Sequence, residues 1–102
     1  MRQRYFDDFQ VGEVFRAPAR TLTDAHFLFF AALTGDNHPI HYDDEYARRP
    51  PFARRVAHGL LLSALTALGA GELSAQLEEA MIAFLSQSAA FRAPVFIGDT
   101  LR

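Results

Sequence analysis

Between Gly59 and Gly69 the chain runs Leu60-Leu61-Leu62-Ser63-Ala64-Leu65-Thr66-Ala67-Leu68, a helical stretch whose leucines fall on every face instead of along one stripe. A helix that is apolar all round needs other elements around it, and a curved sheet wrapped about the helix supplies them. The chain has 102 residues with which to do this, which makes 1–102 a single domain near the lower end of self-sufficient size. Half of the residues are hydrophobic and ten are Phe, so apolar surface is plentiful. Association between copies would add to the buried area.

The rest of the sequence offers few strands for that wrapping. Glu13-Val14-Phe15-Arg16-Ala17 alternates polar and apolar up to Pro18 and predicts an edge strand. Thr23 is a natural N-cap for a helix over Asp24 to Leu33, closed near Gly35. A short helix is expected over Asp44 to Arg49, ending before Pro50-Pro51. Ala80 to Ala93 contains neither Gly nor Pro and carries Met81, Ile82, Phe84, Leu85 and Phe91. It predicts a long strand, although periodicity alone leaves a helix over its first half open. Pro94 to Gly98 turn the chain toward Asp99. Two strands cannot wrap a buried helix, so this reading expects further strands, from residues absent here or from a partner chain.

Composition removes several functional classes. With no cysteine there is no thiol nucleophile, no disulfide framework and no Cys-based metal site. A net charge of −2 argues against nucleic acid as a partner. No apolar run approaches the roughly 18 residues of a membrane span, and Met1-Arg2-Gln3-Arg4-Tyr5 leads into no signal core, so a cytoplasmic protein without a membrane partner is expected.

The chemistry concentrates in Leu33-Thr34-Gly35-Asp36-Asn37-His38-Pro39-Ile40-His41-Tyr42-Asp43, where a carboxylate and an imidazole stand five residues apart across a proline-stiffened turn. Asp36 and His41 converging on one water can remove a proton as it attacks and return a proton to a neighbouring atom. Such chemistry needs an electrophile. His58-Gly59 opens the apolar helix, where first-turn N–H groups lack partners and lie at the positive end of the dipole, and Gly59 lets a carbonyl approach. A conjugated thioester suits that arrangement.

These residues resemble a known family. Phe30 through His41, with Ala47 following, is similar to the signature of the MaoC-like, R-specific enoyl-CoA hydratases of the hotdog superfamily. The resemblance continues through Arg55-Val56-Ala57-His58-Gly59-Leu60-Leu61 and Pro94-Val95-Phe96-Ile97-Gly98-Asp99, covering most of 9–102. It implies an α+β hotdog fold, an antiparallel sheet around a long central helix, here lacking the C-terminal strands with which family members continue. It implies Asp36 and His41 as the catalytic pair adding water to a trans-2-enoyl thioester, and the Gly59 N–H as the carbonyl donor. His38 stands where the family usually has Asn.

Asn37, His38 and Ser63 complete the expected substrate-binding set; Ser63 faces either the acyl pocket or its own helix carbonyls. No cofactor is expected beyond coenzyme A as part of the substrate, which arrives as an acyl-CoA or acyl carrier protein thioester, and a homodimer or higher oligomer is expected. His38 and His41 with Asp36 also suggest a two-histidine, one-carboxylate metal site, to which His58 could add a ligand, but the resemblance explains the same residues without metal. His58 is read as a helix cap, outside the catalytic set. His26 is read as a helix surface residue, and Phe27, Phe29 and Phe30 are assigned to the core. Arg54 and Arg55 are within plausible reach of coenzyme A phosphates. A thioesterase of the same fold and a non-catalytic acyl-CoA-binding or assembly subunit are the rival readings.

Overall fold

The structure is a computed structural model describing residues 2–102. Its elements run β1 (Arg20–Thr21), α1 (Asp24–Thr34), α2 (Asp44–Ala47), α3 (Gly59–Ala64), α4 (Leu73–Gln76) and β2 (Thr100–Leu101), with single 3-10 turns at Phe6–Asp8, Pro39–His41 and Leu68–Ala70.

Helix α1 follows the sequence closely. Thr23 is the extended N-cap, and its N–H donates to His26 Nδ1 at 2.9 Å, so that His26 does the work of the acidic residue in a capping box. The surface role expected of His26 is therefore a capping role. Gly35 ends the helix in the left-handed region at φ 80°, its N–H donating to the Ala31 carbonyl at 2.7 Å. Phe27 and Phe30, three residues apart on one face, are buried.

β1 and β2 pair antiparallel in the register Arg20 with Leu101 and Thr21 with Thr100, and the two threonine hydroxyls meet at 2.7 Å. Beyond the ladder, Leu22 N–H donates to Asp99 and Gly98 N–H to Leu22. A second pairing runs alongside: Val56 bridges Phe96, Ala57 N–H donates to Val95 and Ile97 N–H to Arg55. The turn between these strips is held by Phe96 N–H on the Asp99 carboxylate and by Gly98 at φ 92°. The core of Leu22, Phe27, Phe30, Ala57 and Leu61 lies where α1, the head of α3 and residues 95–101 meet. The site is mounted on that core.

Several sequence expectations are corrected. Residues 13–17 form no strand and expose Val14 and Phe15. The second short helix stops at Ala47 rather than Arg49, and Phe29, assigned to the core, points outward. The expected central helix closes at Ala64; of its leucines only Leu61 is buried, while Leu60 is 71% exposed. The predicted strand at 80–93 is irregular, with Ile82, Phe84 and Leu85 exposed. A strand exists through its ladder, and among the described residues nothing pairs with 80–93. The helix and the strip meant to surround it fall short for this one reason: the α+β layout is present, whereas the sheet among the described residues has two strands.

Candidate active site

The loop after α1 is built to carry two side chains. Asp36 N–H donates to Thr34 Oγ1 at 3.1 Å, and the Asp36 carboxylate accepts from His38 N–H at 3.5 Å, an Asx-type turn that leads into Pro39. Pro39 opens the 3-10 turn that delivers His41. His41 Nδ1 lies 2.6 Å from the Val56 carbonyl. A carbonyl only accepts, so Nδ1 carries the proton and Nε2 presents a lone pair. The strip that pairs with residues 95–97 thereby sets the tautomer of His41.

A carboxylate oxygen of Asp36 and one ring nitrogen each of His41 and His58 lie within 4.8 Å of one another. That span lets Asp36 and His41 share hydrogen bonds to one water. The expected pair is brought together, and the His58 ring lies against it. The sequence reading of His58 as a ring-nitrogen cap is corrected: it is the backbone N-cap of α3, but its side chain caps nothing. Its ring stacks on that of His41 at 3.7 Å between centroids, 23° from parallel, and its Nε2 lies 2.7 Å from Tyr42 Oη. Burial pushes the His58 imidazole below its usual value, and the neighbouring His41 pushes it the same way. Burial and, secondarily, the Asp36 carboxylate raise the Tyr42 phenol, which keeps it protonated as a donor.

Tyr42 is the residue that sequence reasoning missed. Its hydroxyl lies 2.8 Å from the Asp36 carbonyl and 3.1 Å from that of Phe27, tying the loop to α1 as well as to His58. Its position directly after His41 was the available signal.

Gly59 is the first residue of α3, and among the described residues its N–H has no acceptor. It lines a cleft of about 400 Å³ with Phe52, Leu62, Phe91 and Val95. Ser63 stands one turn further along and lines a different, larger cleft of about 790 Å³ with Ala67, Met81 and Phe84; its hydroxyl makes no bond back to its helix. Asn37 is exposed, and among the described residues its side chain has no partner. His38 sits beside the cluster: its Nδ1 accepts from Ile40 N–H at 3.1 Å, and its ring meets both His41, at 6.4 Å between centroids, and Tyr46 edge to face. His38 thus touches the His41 ring and its N–H reaches the Asp36 carboxylate, whereas Asn37 has no such contact, and any cation here would face Asp36, His41 and His58. Arg55, proposed for phosphate, is occupied by Asp24 at 2.6 Å and Asp44 at 2.9 Å.

Asp36, His41 and His58 gather at the N-terminal end of α3, and residues 8–102 match the MaoC like domain. The chain belongs to the MaoC-like family. It is 37% identical over 101 residues to the 3-hydroxybutyryl-CoA dehydratase of Methylorubrum extorquens, covering 97% of this chain and 60% of that protein. It is 35% identical to the (R)-specific enoyl-CoA hydratase of Rhodospirillum rubrum, covering 95% of this chain and 65% of that one. Among solved structures, a monoamine oxidase regulatory protein from Archaeoglobus superposes with a TM-score of 0.80 at 35% identity, covering 98% of this chain and 67% of that chain. The fold is the hotdog fold of these MaoC-like proteins. The chain spans about 60–65% of the length of the first two curated relatives.

Proposed function

We propose that this MaoC-like chain carries the catalytic residues of a hydro-lyase that adds water to a trans-2-enoyl thioester, or removes it from a 3-hydroxyacyl thioester. One observation carries the reading: the Asp36 carboxylate and a ring nitrogen of His41 lie within 4.8 Å of each other, near the head of a helix whose first N–H is free among the described residues. In the hydration direction the Gly59 N–H binds the thioester carbonyl. The Asp36–His41 pair holds the water and takes one of its protons as the oxygen bonds to C3. The electrons of the double bond move through C2 onto the carbonyl oxygen, where the Gly59 N–H stabilises the enolate. The pair then returns a proton to C2, so that the proton account closes without any other group.

The names of the relatives support an (R)-3-hydroxyacyl product and either coenzyme A or an acyl carrier protein as the carrier. Coenzyme A enters as part of the substrate, and the proposed reaction needs neither metal nor a separate cofactor. The exposed Phe29, Leu60, Ile82 and Leu85 favour a homodimer or higher oligomer. No helix of the described residues is long and apolar enough to cross a membrane, and a cytoplasmic setting is proposed.

The test is incubation with crotonyl-CoA, following loss of the conjugated enoyl absorbance and resolving the product by chirality. (R)-3-hydroxybutyryl-CoA is expected. Release of free thiol without a hydroxyacyl product would establish a thioesterase instead, and binding without turnover would establish a non-catalytic acyl-CoA-binding subunit.

A further inference from the structure

His58 is 3% exposed and has aromatic neighbours on several sides: Phe30 at 4.6 Å between centroids, Phe27 edge-on at 5.8 Å, and Tyr42 at 5.6 Å. The remaining face lies flat on His41. Its proton can be placed by counting donors. The Tyr42 hydroxyl has one proton and faces three atoms within hydrogen-bond distance, two of which are carbonyl oxygens that only accept. The account closes when Tyr42 donates to the Asp36 carbonyl and His58 Nε2–H donates to the Tyr42 oxygen. His58 Nδ1 is then a bare lone pair, buried and without a partner. A proton there would be a buried donor with no acceptor, so this ring is unsuited to carrying protons.

His41 has one hydrogen bond, from Nδ1 to Val56, and one hydrogen bond defines a line, not an orientation. His38 and Tyr42 meet that ring edge to face at 6.4 and 5.9 Å, and the face-to-face contact with His58 supplies the constraint on its plane. We propose that His58 is a positioning residue, a neutral plate keyed by Tyr42 that fixes the tilt of His41 so that its free nitrogen stays directed at the water shared with Asp36. The assignment rests on the hydratase reading of Asp36 and His41.

Two substitutions divide the two properties of His58. His58→Phe keeps the plate and loses the donor; His58→Gln keeps an N–H in reach of Tyr42 and loses the plate. With crotonyl-CoA as the probe, His58→Phe is expected to hold kcat within about threefold of the parent, and His58→Gln to lose about 10²-fold in kcat with KM within about twofold. Nitrogen NMR of the histidine rings should show His41 as one Nδ1–H tautomer in the parent and in His58→Phe, and as a tautomer mixture in His58→Gln. Parental turnover in His58→Gln, or a loss in His58→Phe as large as that in His58→Gln, would overturn the proposal. The ring signals of the unaltered chain need no variant and no turnover: His58 must be the Nε2–H form and His41 the Nδ1–H form, and either reversed defeats the proposal. Failure of the parent chain to hydrate crotonyl-CoA would count against the hydratase reading, leaving the ring signals to judge the positioning role separately.

Discussion

The imidazole of His41 lies on that of His58 with 3.7 Å between centroids and 23° between planes, two titratable rings in face-to-face contact. Burial first, then the neighbouring His41, pushes His58 below the usual imidazole value. The sign for stability follows. The unfolded chain takes up the His58 proton before the folded one does, so the contribution is complete above the unfolded pKa of about 6.5 and is lost as pH falls below it, toward the lowered folded value. The slope from this group is at most about 1.4 kcal/mol per pH unit. Urea unfolding midpoints between neutral and mildly acidic pH should therefore fall more steeply for the parent than for His58→Phe. Parallel curves would show that His58 makes no such contribution.

Asp36→Asn and His41→Asn should each lower crotonyl-CoA hydration by about 10²–10⁴-fold, the range of a lost proton-transfer partner. Asn is chosen at His41 because its amide N–H can reproduce the Nδ1–H bond to Val56 while offering no base in place of Nε2. Asp36 is exposed and its side chain accepts a single long bond, from His38 N–H at 3.5 Å, so neither change should unfold the chain. Parental rates in either variant, measured with circular dichroism unchanged, would remove that residue from the chemistry.

How far the site could be read from sequence depended on how local each relationship was. The Thr23 cap, the Gly35 stop at φ 80° and the Pro39 turn are set by residues a few positions apart, and all were legible. The meeting of Asp36 with His41 was legible because the Pro39 turn that links them is local, and so was the start of α3 at Gly59. Tyr42 was not, since its role comes from three partners on separate elements: Phe27 in α1, Asp36 in the loop and His58 at the head of α3. The central helix and the strand at 80–93 were overestimated because apolar sequence records a demand for neighbours. The neighbours themselves are a tertiary fact: Leu60 and Ile82 stand exposed where none of the described residues covers them.

Arg55 holds the loop in place from outside. Its guanidinium reaches Asp24 in the first turn of α1 at 2.6 Å and Asp44 in the first turn of α2 at 2.9 Å, with the His41 carbonyl at 3.4 Å. The hydrogen bond to Asp24 leads the forces that raise its pKa, so it is charged at any working pH. Arg55→Met should cost about 1–3 kcal/mol in urea unfolding, the scale of hydrogen bonds to charged groups, with a smaller loss in high salt because Asp24 and Asp44 are exposed. Arg55→Lys should recover little, since an ammonium cannot span two carboxylates as the fork does. Full recovery by Lys would reduce Arg55 to a point charge.

Gly59→Pro isolates the carbonyl donor. Proline suits the first position of a helix, where no intrahelical bond is lost, and the preceding His58 already has the extended backbone that proline requires, at φ −60° and ψ 136°. The one crowding contact is the Phe91 ring, 3.2 Å from where a Cβ would stand, and Phe91 is half exposed and free to shift. The fold should therefore tolerate the change while the N–H proposed to polarise the thioester disappears. Loss of such a donor typically costs about 10²–10³-fold in kcat. Gly59→Ala supplies the control, because it adds the same Cβ against Phe91 and keeps the N–H. If Gly59→Pro loses activity and Gly59→Ala retains most of it, the donor is the N–H; equal losses would instead assign the glycine to steric access for the substrate.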